Sequence, residues 1–156
     1  MIQAIVLDIE GTTCPVDFVS KTLFPFAQKH LNSALMRRDH DPEIDALVQE
    51  AINEWELDPD PVSQAMLMQA QQATPSTRDV GDYLQHLIQA DRKSTALKEL
   101  QGIIWKQGYL SGEIQSPLFP DVCPQLDNWR REKIALAVYS SGSIQAQKLL
   151  YAHSNE

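Results

Sequence analysis

The fold is decided near the amino terminus by the stretch Ala4-Ile5-Val6-Leu7-Asp8-Ile9-Glu10-Gly11-Thr12. Its first four residues are apolar without a break, and the run stops abruptly at an acid. This pattern is typical of a strand that is buried on both faces of a parallel sheet. We therefore predict a buried strand over residues 2–7, followed by a loop and then by a helix that begins near Asp17.

A second apolar run of the same kind lies late in the chain, at residues 134–139. Ser140-Ser141-Gly142 follows it directly, and a last helix is expected to begin near Ser143. Two strands are too few to bury a sheet, since open sheets usually have about 4–6 strands. We therefore expect the sheet to be incomplete here and the chain to lack its C-terminal part.

Between these strands, from about residue 40 to residue 110, the sequence carries only helix signals. Asp41-Pro42 and Asp60-Pro61 each place a capping residue before a proline, as at helix starts, and a third start falls near Thr77. Asp121 is expected to cap a further helix beyond this block. Apolar residues recur at helical spacing, most clearly in Ile44, Leu47, Val48, Ala51, Ile52 and Trp55. An all-helical block between two β–loop–α segments predicts an inserted helical subdomain.

The bulk composition excludes several classes of function. The formal net charge is -8, which argues against a nucleic-acid or anionic-membrane surface because such a surface needs a basic face. The chain has no apolar run near the roughly 20 residues of a membrane helix, and no basic segment of a signal peptide. Cys14 and Cys123 are isolated and are expected to be reduced thiols. We expect a cytoplasmic, soluble protein.

Two carboxylates stand where a ligand of a parallel sheet would bind, beyond the carboxyl end of the first strand. Asp8 could attack phosphorus as a nucleophile, and Glu10 could act as the general acid and base. A hard cation such as Mg2+ would neutralise the approaching phosphate. The alternative interpretation is a solvated turn or helix cap after a strand, because so short a motif also recurs by chance.

Ser140 and Ser141 stand at the corresponding end of the second strand. Hydroxyls and the N–H groups of a helix N-terminus make a suitable phosphate site. The alternative is that these serines simply cap the following helix. The phosphate interpretation gains from the Asp8 motif, which is expected at the same edge of the sheet.

These motifs resemble those of the haloacid dehalogenase (HAD) superfamily, which has a DxDxT motif and a later apolar strand that ends in Ser or Thr. Within it, the chain resembles the enolase-phosphatase E1 family. The similar stretches include residues 6–13, 23–25, 100–105, 118–122, 139–143 and 146–150, with Glu10 in place of the usual second Asp. The resemblance implies an α/β fold, namely a HAD-like Rossmannoid parallel sheet with an inserted helical cap. The core would comprise residues 1–20 and 110–156, and the cap residues 21–109.

The resemblance also implies a Mg2+-dependent phosphoric monoester hydrolase of methionine salvage. Such an enzyme enolises 2,3-diketo-5-methylthiopentyl-1-phosphate and then removes the phosphate, giving the acireductone 1,2-dihydroxy-3-keto-5-methylthiopentene. Asp8 would be nucleophile and metal ligand. Glu10 would be acid/base and, through its backbone carbonyl, a second ligand of one Mg2+ per chain. Ser140 and Ser141 would bind the phosphate, and the family suggests a monomer.

One departure from the family pattern bears on activity. The superfamily uses a lysine in a third motif and an acidic metal ligand in a fourth, both after the second motif. Lys148 lies within the helix immediately after Ser140, so it does not occupy the third-motif position. We expect that the sequence ends before both the third and the fourth motif. The alternatives are therefore a catalytically inactive fragment of the enzyme, or a HAD phosphatase for another small phosphate ester.

Overall fold

The computed structural model describes residues 2–70 and 74–154. Strand β1 is Ala4–Leu7 and strand β2 is Ala135–Val138, with most of the helices between them. A π-helix, Val19–Leu23, comes first, and the α-helices are α1 Phe24–Leu35, α2 Pro42–Glu56, α3 Pro61–Ala70, α4 Thr77–Gln89, α5 Thr95–Ser111, α6 Val122–Arg131 and α7 Ile144–Ala152. Within the described ranges, every helix is too short or too polar to cross a bilayer.

Contacts divide the chain into two compact units. One unit comprises Met1–Pro25 with Trp105–Glu156, and the other is Phe26–Ile104. The first unit holds both strands together with α6 and α7, and the second holds α2, α3 and α4. The predicted core and cap boundaries, at residues 20/21 and 109/110, stay a prediction.

The two strands form a parallel sheet in which they are direct neighbours. Ala4 pairs with Ala135 and Leu7 with Val138, so the strands end at the same level. The N–H of Tyr139 donates to the carbonyl of Leu7 over 2.9 Å and extends the ladder by one step. This register places the residues after β1 beside the residues after β2.

The prediction that both strands are buried on both faces is wrong for the described structure. Val6 is 66% exposed, Leu136 40% and Val138 38%, and every residue of β2 is exposed. The apolar runs correctly predict two strands, but a strand is buried only where other elements cover both faces of its sheet. Two strands and the helices beside them leave these faces open to solvent.

The helix expected near Asp17 begins there but does not continue as a regular α-helix. The chain forms the π-helix Val19–Leu23, and α1 starts only at Phe24. Pro25 accounts for the wider turn, because it has no N–H to donate to the Lys21 carbonyl and its ring would crowd that oxygen. The N–H of Phe24 donates to the carbonyl of Val19, five residues earlier, which is the hydrogen-bond spacing of a π-helix.

The helical unit follows its local sequence signals. The Asp41 carboxylate accepts hydrogen bonds from the N–H groups of Glu43 and Ile44, at 3.1 and 3.3 Å, and so caps α2 as predicted. Ser76 and Asp79 form a reciprocal capping box at the start of α4. The predicted apolar stripe of α2 is buried throughout: Ile44, Leu47, Val48, Ala51, Ile52 and Trp55.

The capping role predicted for Asp121 is wrong. Helix α6 does begin at Val122, but the Asp121 side chain makes no capping hydrogen bond. Its backbone is helical, with φ -86° and ψ -11°, whereas a capping side chain needs an extended backbone to reach the free N–H groups. The last helix, α7, begins near Ser143 as expected. Ser143 caps it, because its Oγ accepts a hydrogen bond from the N–H of Ala146 over 3.1 Å.

Candidate functional site

The first part of the site is the Asp8 loop, residues 8–14, which leaves the end of β1. Three successive N–H groups, those of Thr12, Thr13 and Cys14, converge on the Ile9 carbonyl at 3.0–3.2 Å. The N–H of Ile9 in turn donates to Asp8 Oδ1 over 2.7 Å. The loop is therefore a tight turn that leaves the Asp8 and Glu10 side chains exposed to solvent.

The turn depends on glycine at position 11. Gly11 has a φ of +76°, in the region that side-chain-bearing residues rarely adopt. Its N–H donates to the Cys14 carbonyl over 2.7 Å, which closes the loop. A Cβ at Gly11 would also lie only 2.9 Å from Val16 Cγ2. Position 11 is therefore restricted to glycine by both backbone conformation and space.

The second part is the serine turn, residues 140–142, which connects β2 to α7. Ser140 Oγ accepts a hydrogen bond from the N–H of Gly142 over 3.3 Å. The Gln147 side chain donates to the Gly142 carbonyl over 2.8 Å and so holds the turn against the first turns of α7. The N-cap of α7 is Ser143, one residue beyond the turn. Ser140 and Ser141 thus precede the capping position that the alternative interpretation gives them.

A single open cavity of about 530 Å³ contains all four site residues predicted from the sequence. It is lined by Val6, Leu7, Asp8, Glu10, Tyr139, Ser140 and Ser141. The parallel register explains this arrangement, because Leu7 and Val138 are partners and the chains diverge from the sheet at the same edge. Two acidic residues and two serines therefore line one space that is large enough for a small phosphorylated molecule.

The donor set of this cavity is suited to a hard cation. Asp8 and Glu10 offer carboxylate and carbonyl oxygens, the ligands that Mg2+ prefers. Within residues 2–70 and 74–154, the structure contains no group of three or more His, Cys, Asp or Glu side chains placed to hold a metal. Mg2+ commonly takes only one or two protein carboxylates and completes its shell with water and phosphate oxygens, so the pair fits this ion.

The sequence did not single out a hydrogen-bonded pair that joins Thr13 in the Asp8 loop to Tyr151 in α7. The hydroxyls of Thr13 and Tyr151 lie 2.8 Å apart, and Thr13 is buried. Burial raises the pKa of the Tyr151 phenol, and the nearby Cys14 and Asp8 raise it further against the lowering effect of the Thr13 hydrogen bond. The positions are 138 residues apart, and no motif or periodicity links them.

Cys14 lies beside this pair and is almost fully buried. Burial, with smaller contributions from the charges of Glu10 and Asp17, raises the pKa of its thiol to about 11. The thiol is therefore protonated at neutral pH and behaves as a small apolar side chain. Both cysteines are free, which agrees with the expectation of reduced thiols.

Known proteins are similar to this chain over its whole length. No protein-family model matches the chain. It is 58% identical over 157 residues, covering 100% of the chain, to the protein named Enolase-phosphatase E1 of Synechococcus sp. (strain WH7803). It is 49% identical over 155 residues, covering 99% of the chain, to the protein of that name of Prochlorococcus marinus (strain MIT 9313). The chain belongs to the enolase-phosphatase E1 family.

The match covers only part of these E1 relatives. The chain spans 65% of the length of the Synechococcus protein and 63% of the Prochlorococcus protein. Among solved structures, the UTR4 protein of Saccharomyces cerevisiae matches with a TM-score of 0.65 and 31% identity, over 100% of this chain and 58% of that chain. The likeness confirms the predicted fold class, a HAD-like α/β fold with a parallel sheet.

Proposed function

We propose that the cavity at the strand ends is the phosphatase site of an enolase-phosphatase. The substrate would be 2,3-diketo-5-methylthiopentyl-1-phosphate, and the products the acireductone 1,2-dihydroxy-3-keto-5-methylthiopentene and phosphate, as in methionine salvage. The observation that carries the proposal is the cavity that Asp8, Glu10, Ser140 and Ser141 share at one sheet edge. Family membership supports the choice of reaction.

Asp8 is proposed as the nucleophile. Its Oδ1 accepts the N–H of Ile9, which fixes the orientation of the carboxylate. In the first step a carboxylate oxygen of Asp8 forms a bond to phosphorus, while the bond from phosphorus to the substrate oxygen breaks. Glu10 gives its proton to that leaving oxygen. The step leaves an aspartyl-phosphate, a free alcohol or enol, and an ionised Glu10.

Glu10 is proposed to reverse its role in the second step. It accepts a proton from water, and the resulting oxygen bonds to phosphorus as the bond to Asp8 breaks. The step releases inorganic phosphate and restores both carboxyl groups to their initial states. Because both side chains are exposed to the same cavity, a water molecule can reach the phosphorus without passing through the protein interior.

The serine turn is proposed to hold the phosphate during both steps. Ser140 and Ser141 line the cavity, and the turn leads into the N-terminus of α7. Hydroxyls and free N–H groups at a helix N-terminus favour an anion without any cationic side chain. This suits a chain whose formal net charge is -8.

One Mg2+ per chain is proposed to complete the site. The Asp8 carboxylate and the backbone carbonyl of Glu10 would hold it. When bound, the ion supplies positive charge that neutralises the phosphate oxygens and polarises the diketone for enolisation. The chain residues around it then position the nucleophile, exchange protons and bind the phosphate.

We also propose the wider setting of this site. The HAD-like core would comprise residues 1–20 and 110–156, and residues 21–109 would form an inserted helical cap. The unit Phe26–Ile104 contains α2, α3 and α4 and, among its described residues, no strand. This supports the cap assignment. The formal net charge of -8 supports a protein that binds neither nucleic acid nor an anionic membrane. Family membership supports a monomeric cytoplasmic enzyme that takes a small phosphorylated substrate.

The proposal is tested by measuring release of inorganic phosphate from the diketone phosphate by the 156-residue chain, with and without Mg2+. The expected result is Mg2+-dependent release that Asp8→Asn abolishes, because an amide oxygen is a poor nucleophile. Asp17→Asn is the matched control. Asp17 is also an exposed acid of the same unit, but it pairs with Lys21 over 2.8 Å and does not line the cavity.

Other outcomes separate the alternatives. Equal rates for wild type and Asp8→Asn would contradict the phosphatase assignment and favour a catalytically inactive chain. Asp8-dependent release from other small phosphate esters, but none from the diketone phosphate, would keep the nucleophile and reject the substrate. Loss of phosphate release in Asp17→Asn as well would show that any change of charge near the loop abolishes activity. The Asp8→Asn result would then give no support to Asp8 as the nucleophile.

A further inference from the structure

The Asp8 loop and α7 are joined by a side-chain hydrogen bond between two residues that do not line the cavity. Thr13 Oγ1 lies 2.8 Å from the hydroxyl of Tyr151, near the C-terminal end of α7. Thr13 belongs to the loop that presents Asp8 and Glu10, and α7 begins just after the serine turn. One contact therefore links the two chain segments that supply the proposed nucleophile and the proposed phosphate site.

The Thr13 hydroxyl also faces the backbone of the nucleophile. Its Oγ1 lies 3.4 Å from the Asp8 carbonyl oxygen and 3.5 Å from that of Ile9. A threonine hydroxyl has one proton to donate. When that proton is directed to a loop carbonyl, the contact with Tyr151 requires the phenol to donate. Tyr151 then fixes the direction of the Thr13 hydroxyl, and Thr13 holds the backbone from which the Asp8 side chain projects.

The hydrogen bond between Thr13 and Tyr151 is partly buried. Thr13 is 2% exposed, and its backbone carbonyl accepts the N–H of Phe119 over 3.1 Å. A buried hydroxyl that loses its partner keeps the cost of desolvation. Removing the Tyr151 hydroxyl therefore leaves Thr13 with only the two longer carbonyl contacts, inside the turn that places Asp8.

We propose that Thr13 and Tyr151 are positioning residues that hold the Asp8 loop and α7 in one fixed arrangement. Neither side chain lines the cavity, so both act through the loop and the helix that they connect. Phosphate bound at the serine turn then stabilises the Asp8 loop as well, through α7 and Tyr151. This last step rests on the proposed function of Ser140 and Ser141, whereas the positioning of the loop does not.

The test is residue-resolved amide hydrogen exchange on the whole chain, comparing wild type with Tyr151→Phe. The amides of Thr12, Thr13 and Cys14, all bonded to the Ile9 carbonyl, are expected to exchange about tenfold faster in the variant, because local opening loses one constraint. Tyr109→Phe is the matched control. It removes a buried phenol hydroxyl of the same unit, 3.0 Å from Ser116 Oγ, and is expected to leave these three amides unchanged.

Two threonine variants separate positioning from general stability. Thr13→Val is expected to accelerate the same amides, and adding Tyr151→Phe to it should have no further effect. Thr13→Ser keeps the hydroxyl and is expected to restore slow exchange. Unchanged loop exchange in Tyr151→Phe would overturn the proposal. So would equal acceleration in every segment, the helical unit included, because that result would show only a loss of global stability.

Adding Mg2+ and inorganic phosphate tests the link to the serine turn. In wild type, we expect slower exchange both in residues 141–147 and in residues 12–14. In Tyr151→Phe, residues 141–147 should keep this protection and residues 12–14 should lose it. Equal protection of residues 12–14 in both proteins would overturn the coupling. Absence of protection at residues 141–147 in wild type would contradict the proposed phosphate site alone, since exchange without phosphate still decides the positioning role.

Discussion

Arg92 and Asp58 form a bidentate ion pair within the helical unit. The two guanidinium NH groups of Arg92 lie 2.6 and 2.7 Å from the two carboxylate oxygens of Asp58, whose side chain is 3% exposed. Tyr83 donates a further hydrogen bond to Asp58 Oδ2 over 3.3 Å. The pair therefore joins the segment after α2 to the segment after α4, with a carboxylate that has little access to water.

This pair predicts how stability changes in acid. The Arg92 hydrogen bonds hold the pKa of the Asp58 carboxyl far below its ordinary value of 3.8, against the opposing effect of burial. In the unfolded chain the carboxyl takes up a proton at a higher pH than in the folded chain. The contribution of the pair is therefore complete above the ordinary pKa and is lost as the pH falls towards the folded value. Urea unfolding from pH 7 to pH 2 should show this loss.

Asp58→Asn should lower the free energy of unfolding at pH 7 by about 1.5–3 kcal/mol, because a charged hydrogen-bonded pair is lost. It should also flatten the decrease in stability below pH 4. Asp17→Asn is the control, since Asp17 and Lys21 form an exposed pair that contributes little to stability. An acid-unfolding curve of Asp58→Asn that parallels the wild-type curve would show that other carboxylates dominate.

The two cysteines should differ sharply in reactivity. Burial raises the pKa of the Cys14 thiol to about 11, from an ordinary value of 9.0, so its thiolate fraction at pH 8 falls about 100-fold before access is considered. Iodoacetamide at pH 8 should therefore modify Cys123, which is partly exposed, and leave Cys14 intact. Mass spectrometry of tryptic peptides measures both sites in one reaction.

Unfolding provides the control for this prediction. In concentrated guanidinium chloride the burial of Cys14 is lost, and both thiols should react at similar rates. Native-state alkylation of Cys14 at the rate of Cys123 would mean that the Asp8 loop opens often enough to expose its interior. That result would contradict the closed turn formed around the Ile9 carbonyl.

Features that depend on local sequence could be predicted well. The buried stripe of α2 follows from apolar residues at helical spacing, and the Asp41 cap follows from the residue type and the proline after it. The shared edge of Asp8 and Ser140 follows from two parallel strands, whose carboxyl ends must meet. Each of these inferences needs only a short segment and a general rule of geometry.

Features that depend on contacts between distant parts of the chain could not be predicted. The apolar run of β2 indicates a strand correctly, but its exposure depends on which layers cover the sheet. The Asp58–Arg92 ion pair joins residues 34 positions apart, and the hydroxyl pair of Thr13 and Tyr151 joins residues 138 apart. Such partners are selected by the folded chain as a whole, and no periodicity in the sequence marks them.

Comparing Gly11 with Gly112 distinguishes the cost of backbone strain from the cost of a steric clash, because both have a positive φ. Gly11 and Gly112 have φ values of +76° and +78°, but a Cβ would contact Val16 Cγ2 at 2.9 Å only in the first case. Gly112→Ala should cost about 1 kcal/mol through backbone strain alone. Gly11→Ala should cost more, because the exposed Val16 side chain must also move. Denaturant unfolding of both variants measures the difference.

The steric part of this prediction has its own check. Val16→Ala removes the atom that a Cβ at position 11 would meet, and it should cost little by itself because Val16 is 62% exposed. Combined with Gly11→Ala, it should reduce the total cost to about that of Gly112→Ala. If the double variant remains as unstable as Gly11→Ala plus Val16→Ala, the conflict with Val16 is not the cause and strain in the Asp8 loop exceeds that at Gly112.

The two residues that precede α7 and α6 provide a last test of the structure against the sequence pattern. Ser143 caps α7 through a hydrogen bond from Ala146, whereas Asp121 stands before α6 without such a bond. Ser143→Ala should therefore lower the free energy of unfolding by about 1 kcal/mol, and Asp121→Ala by less than about 0.5 kcal/mol. Urea unfolding at pH 7 compares them directly. A larger loss in Asp121→Ala would mean that its carboxylate does stabilise the first turn of α6, as the sequence alone suggests.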